Sequence, residues 1–170
     1  MPTPEHLAHR VESVRCGVVT VSDTRTAATD KSGLLVRELL DAAGHRVEAC
    51  EIVRDDVAAI RAAVSELCGR CACRAVILTG GSGIAARDNT PEAVEPLFVR
   101  RMDGFGELFR MLSYDDVGSA AMLSRAMAGV CGTTMVFVLP GSVAAVRLAM
   151  EKLILPQLAH IAGLLGEGSS

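Results

Sequence analysis

Four short stretches of this chain carry the residue types that phosphate chemistry uses: Ser22-Asp23-Thr24, Asp55-Asp56, Thr79-Gly80-Gly81-Ser82-Gly83 and Pro140-Gly141-Ser142. Glycines at Gly80, Gly81 and Gly83 let backbone N–H groups come close to an anion, and the Thr79 and Ser82 hydroxyls add donors. The spacing is neither Gly-x-Gly-x-x-Gly nor a P-loop, because no Gly-Lys-Ser/Thr follows. Taken alone, the stretch is equally ordinary turn chemistry. Its neighbours extend the reading. Arg87-Asp88-Asn89-Thr90-Pro91-Glu92 puts a carboxylate, a hydroxyl and a second carboxylate at a helix start, where Thr90 also reads as a cap and Glu92 as a partner of the helix dipole. Asp88 beside a phosphate cradle would repel its ligand unless a divalent cation such as Mg²⁺ stood between them. Asp55 supplies a second carboxylate, although it or Asp56 also reads as an N-cap.

Elements that position these stretches follow from the hydrophobic pattern. A strand is expected over Cys16 to Ser22, followed by a loop to Lys31 and a helix with Ser32 at its N-cap, Leu34, Leu35, Leu39 and Leu40 at helical spacing, and Gly44 just beyond its end. A second strand runs Arg46 to Val53, and Asp55 and Asp56 open a helix through Val57, Ile60, Val64 and Leu67. Ala75 to Thr79 is an unbroken apolar strand of the kind found inside a parallel sheet. Pro91 at N1 predicts a helix to about Arg100, and Gly104 to Asp116 reads as a helix with Phe105, Leu108, Phe109 and Leu112 on one face. Ala126 to Val130 and Thr134 to Leu139 form a hairpin. A helix follows from Val143 to about Leu155, is kinked or restarted at Pro156, and continues from Gln157 to Leu165. This order predicts an α/β fold, a three-layer α/β/α sandwich with a mostly parallel sheet and one antiparallel hairpin. A flexible segment 1–14, a single domain 15–165 and a frayed tail 166–170 are expected.

Composition narrows the partners. The chain has 170 residues, half of them hydrophobic but only 3% aromatic, so it can bury a sizeable core yet lacks the aromatic platforms that single-stranded nucleic acid requires. A net charge of −3 disfavours attraction to phosphate backbones. No nucleic acid and no membrane are expected as partners. Cys68-x2-Cys71-x-Cys73 invites a zinc reading, but no second pair or histidine accompanies it, and packing explains it more simply. Local signatures of acyl transfer are missing, and His6, His9, His45 and His160 are dispersed. Met1 to Ser13 carries charge without an apolar run, and an aliphatic core of this size needs no disulfides, so a cytoplasmic protein with reduced thiols is expected.

From about Cys16 to Leu165 the chain resembles the molybdenum cofactor biosynthesis family of MogA and MoaB proteins. The likeness rests on Val21-Ser-Asp-Thr24, Asp30-Lys-Ser-Gly33, Thr79-Gly-Gly-Ser-Gly83 with Arg87-Asp-Asn-Thr-Pro-Glu92, Gly104-Phe-Gly-Glu-Leu-Phe-Arg110, Met122-Leu-Ser-Arg125 and Leu139-Pro-Gly-Ser142. Gly104 to Tyr114 and Ile154-Leu-Pro-Gln157 look more like MoaB than MogA. Ser82 stands where threonine is usual, and Arg54 where proline is common. The resemblance implies an adenylyltransferase that joins AMP from Mg-ATP to the terminal phosphate of molybdopterin and releases pyrophosphate. It implies catalytic roles for Asp55 and Asp88, with Mg²⁺ held by Asp88 and Asp55 as a second candidate ligand. Substrate or nucleotide contacts would come from Ser22, Asp23, Ser32, Gly33, Thr79, Gly80, Gly81, Ser82, Gly83, Thr90, Glu92, Ser124, Arg125, Pro140, Gly141 and Ser142. A trimer or hexamer is implied too, with other proteins of the cofactor pathway as further partners. The alternative is a MoaB-type oligomer that binds molybdopterin without turning it over.

Overall fold

The computed structural model describes residues 10–167. Residues 1–9 and 168–170, parts of the expected flexible segment and tail, lie outside the described residues. Strands β1 (Arg15–Val21), β2 (Arg46–Val53), β3 (Ala75–Thr79), β4 (Arg100–Arg101), β5 (Met127–Cys131) and β6 (Thr134–Leu139) form one six-stranded sheet in the order β2-β1-β3-β6-β5-β4. The first four in that order run parallel, whereas β5 is antiparallel to both β6 and β4. Around them lie α1 (Lys31–Ala42), α2 (Val57–Cys68), α3 (Thr90–Val94), α4 (Asp103–Val117), α5 (Val143–Ala149) and α6 (Leu155–Glu167). The expected three-layer sandwich is the observed fold.

Alternation along the strands explains the layers, since successive side chains point to opposite faces of a sheet. Cys16 and Val18 of β1, Ala75 and Ile77 of β3, and Met135 and Phe137 of β6 face one core with α1, α4, α5 and α6. Val19, Val76, Leu78, Val136 and Val138 face the other, against α2 and α3. Burying each large aliphatic or aromatic side chain stabilises the fold by about 1.5–3 kcal/mol. Phe105 meets Phe137 edge-on with ring centroids 5.3 Å apart and stacks on Phe109 at 6.3 Å, which fixes α4 over β6.

Several local expectations are corrected. Helix α1 is capped by Asp30, whose side chain accepts the Gly33 amide, and Ser32 lies inside the helix. Pro96 follows too soon for the expected helix to reach Arg100: α3 ends at Val94, a 3₁₀ turn spans Glu95–Leu97, and Arg100 and Arg101 form the edge strand β4. On α4, Leu108 is exposed while Phe105, Phe109 and Ser113 are buried. The helix after Val143 restarts beside Pro156, with α5 ending at Ala149 and α6 beginning at Leu155. Proline there cannot donate to a preceding carbonyl, and the chain accommodates it with a π-helical turn over Met150–Ile154, where the Leu155 amide bonds to the Met150 carbonyl. Residues 10–14 are held rather than loose: Val14 is buried, its amide donates to His45 Nδ1, and Ser13 Oγ donates to the Gly44 carbonyl.

The helical run Val143–Gly166 is long and apolar enough by composition to cross a membrane, with a mean hydropathy of 1.3. In this fold Val146, Met150, Ile154 and Leu158 on that run are completely buried in the core.

Candidate active site

The parallel register brings the carboxyl ends of β2, β1, β3 and β6 to one edge of the sheet: Val21 pairs with Val53, and Thr20, Thr79 and Leu139 lie in adjacent register. All four chemistry-bearing stretches leave from that edge, where ligands bind in open parallel sheets.

Around Gly80 the turn is built by close backbone approach. Gly80 has φ +94°, its amide donates to the Leu139 carbonyl at 3.0 Å, and a Cβ would strike the Val21 carbonyl oxygen. Gly81 has φ +65°, and a Cβ there would collide with Thr90 Oγ1 and lie 2.8 Å from Asp55 Oδ2. Thr90 locks the turn from outside. Its amide donates to the Gly81 carbonyl at 3.0 Å and its hydroxyl to the Gly80 carbonyl at 2.8 Å. Thr79 and Ser82 are both buried beneath the turn, and Thr79 Oγ1 has no hydrogen-bond partner among the described residues.

Carboxylates crowd one side. Asp23 Oδ1 accepts the Asp55 amide at 3.0 Å, and Asp55 Oδ1 accepts the Asn89 amide at 2.9 Å. Asp88 uses only Oδ2 for its bond from the Ala85 amide. Burial pushes the Asp55 carboxyl above its usual range; the bond from Asn89 opposes this, and the charges of Asp88 and Asp23 add to it. Helix α2 is capped by Asp56, which leaves Asp55 free of that duty.

Arg125 braces this half. Its guanidinium donates to the Gly83 carbonyl at 2.8 Å, to the Asp88 carbonyl at 2.8 Å, and to both oxygens of Glu92, holding the Glu92 carboxyl below its usual range. Arg125 and Glu92 are thus committed to each other and to backbone carbonyls.

The opposite side is tied together by a residue the motif reading missed. Arg25 donates to Ser32 Oγ at 3.1 Å and to the Gly141 carbonyl at 2.9 Å, and its amide donates to Ser22 Oγ at 3.0 Å. Ser32 Oγ donates to the Gly141 carbonyl at 2.5 Å, while Gly33 donates to Asp30. Arg25, anchored by Ser22, and Ser32 therefore hold the loop after β6 against the loop after β1, while Gly33 serves the cap of α1. Beyond it, Ser124, Pro140 and Ser142 line a cavity of about 280 Å³ walled by Phe109, Ala121 and Leu148. Asn89 is the other functional position that sequence reasoning passed over: it bonds Asp55 through amide and side chain, and its place between Asp88 and Thr90 was the available signal.

Residues 17–160 match the family model described as a probable molybdopterin binding domain. The chain belongs to the molybdenum cofactor biosynthesis domain family. Molybdenum cofactor biosynthesis protein B of Bacillus subtilis is 54% identical over 162 residues, covering 95% of each chain. The tungsten cofactor synthesizing protein MoaB of Pyrococcus furiosus has a structure that aligns with a TM-score of 0.81 at 38% identity, covering 89% of this chain and 96% of that one. A MogA structure aligns at 0.80 with 27% identity, covering 89% and 99%. A role in molybdenum cofactor biosynthesis follows.

Proposed function

We propose that the protein is a molybdopterin adenylyltransferase: a phosphate oxygen of molybdopterin bonds to the α-phosphorus of ATP, and the bond to pyrophosphate breaks. The observation that carries this reading is the glycine turn, built by close backbone approach and flanked by Asp55, Asp88 and Asp23. Phosphate on phosphate displacement needs charge neutralisation and alignment more than a covalent nucleophile.

A Cβ at Gly81 or Gly83 would lie 2.8 Å from an Asp55 or Asp88 oxygen, so glycine is what lets these carboxylates close on the turn, and the backbone amides of Gly81 to Gly83 are the groups that receive phosphate oxygens. Among the described residues no three His, Cys, Asp or Glu side chains form a complete metal cage. Asp55 Oδ2 lies beside Gly81 and Asp88 bonds the Ala85 amide through Oδ2 alone, and one or two such carboxylates suit Mg²⁺, which takes its other ligands from phosphate and water. Asp88 would hold it, with Asp55 as second ligand. Bound there, the ion would offset the negative charge of the phosphates. Asp55 is pinned by Asn89 to face the turn, and Arg125 keeps Asp88 and Gly83 in fixed relation.

The solved Thermus thermophilus relative, 34% identical with a TM-score of 0.80, is named a molybdopterin biosynthesis enzyme MoaB, which supports an enzymatic reading. The higher identity to protein B and MoaB relatives than to MogA favours, as second reading, a module that holds molybdopterin without turnover. Incubation with molybdopterin, ATP and Mg²⁺ separates them: adenylylated pterin that disappears in Asp88→Asn supports the enzyme, and binding without product supports the module. We also propose a trimer or hexamer acting in the cytoplasm alongside other proteins of the pathway. Exposed Leu108, Met111, Tyr114, Val117 and Met122 along α4 and the following 3₁₀ turn support self-association, and all six cysteines are free thiols.

A further inference from the structure

The fold sorts the cysteines differently from the sequence. Cys68-x2-Cys71-x-Cys73 lies at the end of α2 and in the turn before β3, at the amino edge of the sheet, opposite the phosphate turn. The chain winds tightly there. The Cys71 amide donates to the Glu66 carbonyl at 3.1 Å, the Cys73 amide donates to the Leu67 carbonyl at 2.9 Å, and Ala72 between them has φ +49°. Cys73 ends up buried in the second core. The partner of Cys68 comes instead from far along the chain. Cys131 closes β5 just before the hairpin turn and pairs across the hairpin with Thr134. The Cys68 thiol lies in hydrogen-bonding reach of both the Cys131 thiol and the Thr134 hydroxyl. Thr134 is buried, and its hydroxyl donates to the Cys73 carbonyl at 2.6 Å. Cys68 and Cys131 are half-buried against one core, so two thiols share a single corner that solvent still reaches.

We propose that Cys68 and Cys131 form a two-thiolate site for a soft monovalent cation of the Cu(I) class. Such an ion selects thiolate sulfur and is satisfied by two ligands in line. Structural zinc and iron–sulfur clusters take four. Among the described residues no three His, Cys, Asp or Glu side chains come together around a metal position, which excludes the four-ligand ions and leaves the two-ligand one. On binding, two S–H bonds break, two S–Cu bonds form from sulfur lone pairs, and two protons pass to solvent; neither metal nor sulfur changes oxidation state. Burial, then the neighbouring Cys131, pushes the Cys68 thiol above its usual range. A thiol so held is a poor nucleophile toward oxidants, whereas a thiophilic ion displaces its proton directly. Thr134 ties the ligand pair to the turn at Cys73, the kind of contact that orients metal ligands.

The sequence offers a rival pair, Cys68 with Cys71, and the test separates the two. Cu(I) is titrated into the reduced protein without oxygen, against a chromophoric Cu(I) chelator. The wild type should take up one ion per chain, and X-ray absorption should show two sulfur ligands. Cys68→Ser and Cys131→Ser should each weaken binding by more than about a hundredfold, beyond the roughly 10–100-fold that loss of a supporting contact costs a metal site. Cys71→Ser and Cys50→Ser should bind as the wild type does. Zn²⁺ should bind no better to the wild type than to Cys131→Ser. Circular dichroism checks each variant, and if Cys68→Ser fails to fold, Cys131→Ser at the hairpin end decides alone. Undiminished binding in Cys131→Ser, loss of binding in Cys71→Ser, or a coordination shell other than two sulfurs overturns the proposal.

Discussion

Replacing Gly80 with alanine tests whether the phosphate turn owes its shape to backbone contact with β1. Gly80 and Gly44 share a positive φ, +94° and +84°, yet their surroundings differ. A Cβ on Gly80 meets the Val21 carbonyl oxygen, whereas nothing lies within 4 Å of one on Gly44. Both substitutions place an L side chain in the left-handed region, at a cost of about 1–2 kcal/mol. Only Gly80→Ala adds a collision, and its partner is the Val21 backbone, held in the parallel ladder between β1 and β2, which cannot swing aside as a side chain can. Forced repacking of that kind costs about 1–3 kcal/mol. Gly44→Ala should therefore lose about 1–2 kcal/mol and Gly80→Ala about 2–5 kcal/mol. In a chain of this length each kcal/mol lowers Tm by about 2–4 °C, so the two variants should melt about 2–8 °C and about 4–20 °C below the wild type. Calorimetry and urea unfolding give the stabilities, and the adenylylation assay gives function. Gly44→Ala should keep full turnover while Gly80→Ala loses most of it. Equal destabilisation of the two variants, or full turnover by Gly80→Ala, would refute the reasoning.

Other consequences are equally direct. Because burial and the neighbouring carboxylates raise the Asp55 pKa, the folded state binds its proton more readily than the unfolded chain does. Wild-type stability should then fall as pH rises from the ordinary value of 3.8 through the raised one. Asp55→Asn should be the more stable protein at neutral pH, with the difference closing below that window, as thermal melts across a pH series will show; a constant difference would contradict the cause assigned to the shift. Arg125→Lys keeps the charge but cannot serve Gly83, Asp88 and Glu92 together. Turnover should drop at least about tenfold, consistent with the loss of one or more charge-assisted bonds of about 1.5–3 kcal/mol, and wild-type kinetics in this variant would deny the bracing role. Burial, then the neighbouring Cys73, pushes the Cys16 thiol up to about 12. Iodoacetamide at pH 8 should leave Cys16 intact until denaturant is added, read by peptide mass mapping, and rapid labelling of the native protein would contradict that burial.

The sheet was legible because β1, β3 and β6 are nearly continuous apolar runs, which parallel strands buried on both faces require. Its carboxyl edge was legible for the same reason, since three of the four chemistry-bearing stretches directly follow such a run, and only Asp55-Asp56 follows the mixed strand β2. Side-chain roles inside the edge were less so. Ser32 and Asp30 both have capping chemistry, and the choice between them is made by contacts distant in sequence: Thr20 Oγ1 donates to Asp30 at 2.6 Å, and the Gly141 carbonyl draws Ser32 away. Arg25 escaped notice because its partners Ser32 and Gly141 meet only once β1 and β6 flank β3. Leu108 misled because helical spacing reports an apolar stripe without saying whether sheet or open surface lies beneath it.

The π turn at Met150–Ile154 has a consequence for how this chain tolerates change in length. An α-helix is a screw that advances 100° per residue, and one extra residue in a wide turn resets the phase of everything downstream. Deleting a single residue there would leave an ordinary helix by local rules, yet turn Leu158 and Ala162, now facing the core, about a quarter of a revolution toward solvent. The segment behaves as a vernier between α5, which starts at the phosphate edge, and α6, which seals the far end of the core: its length, more than its composition, is what cannot drift.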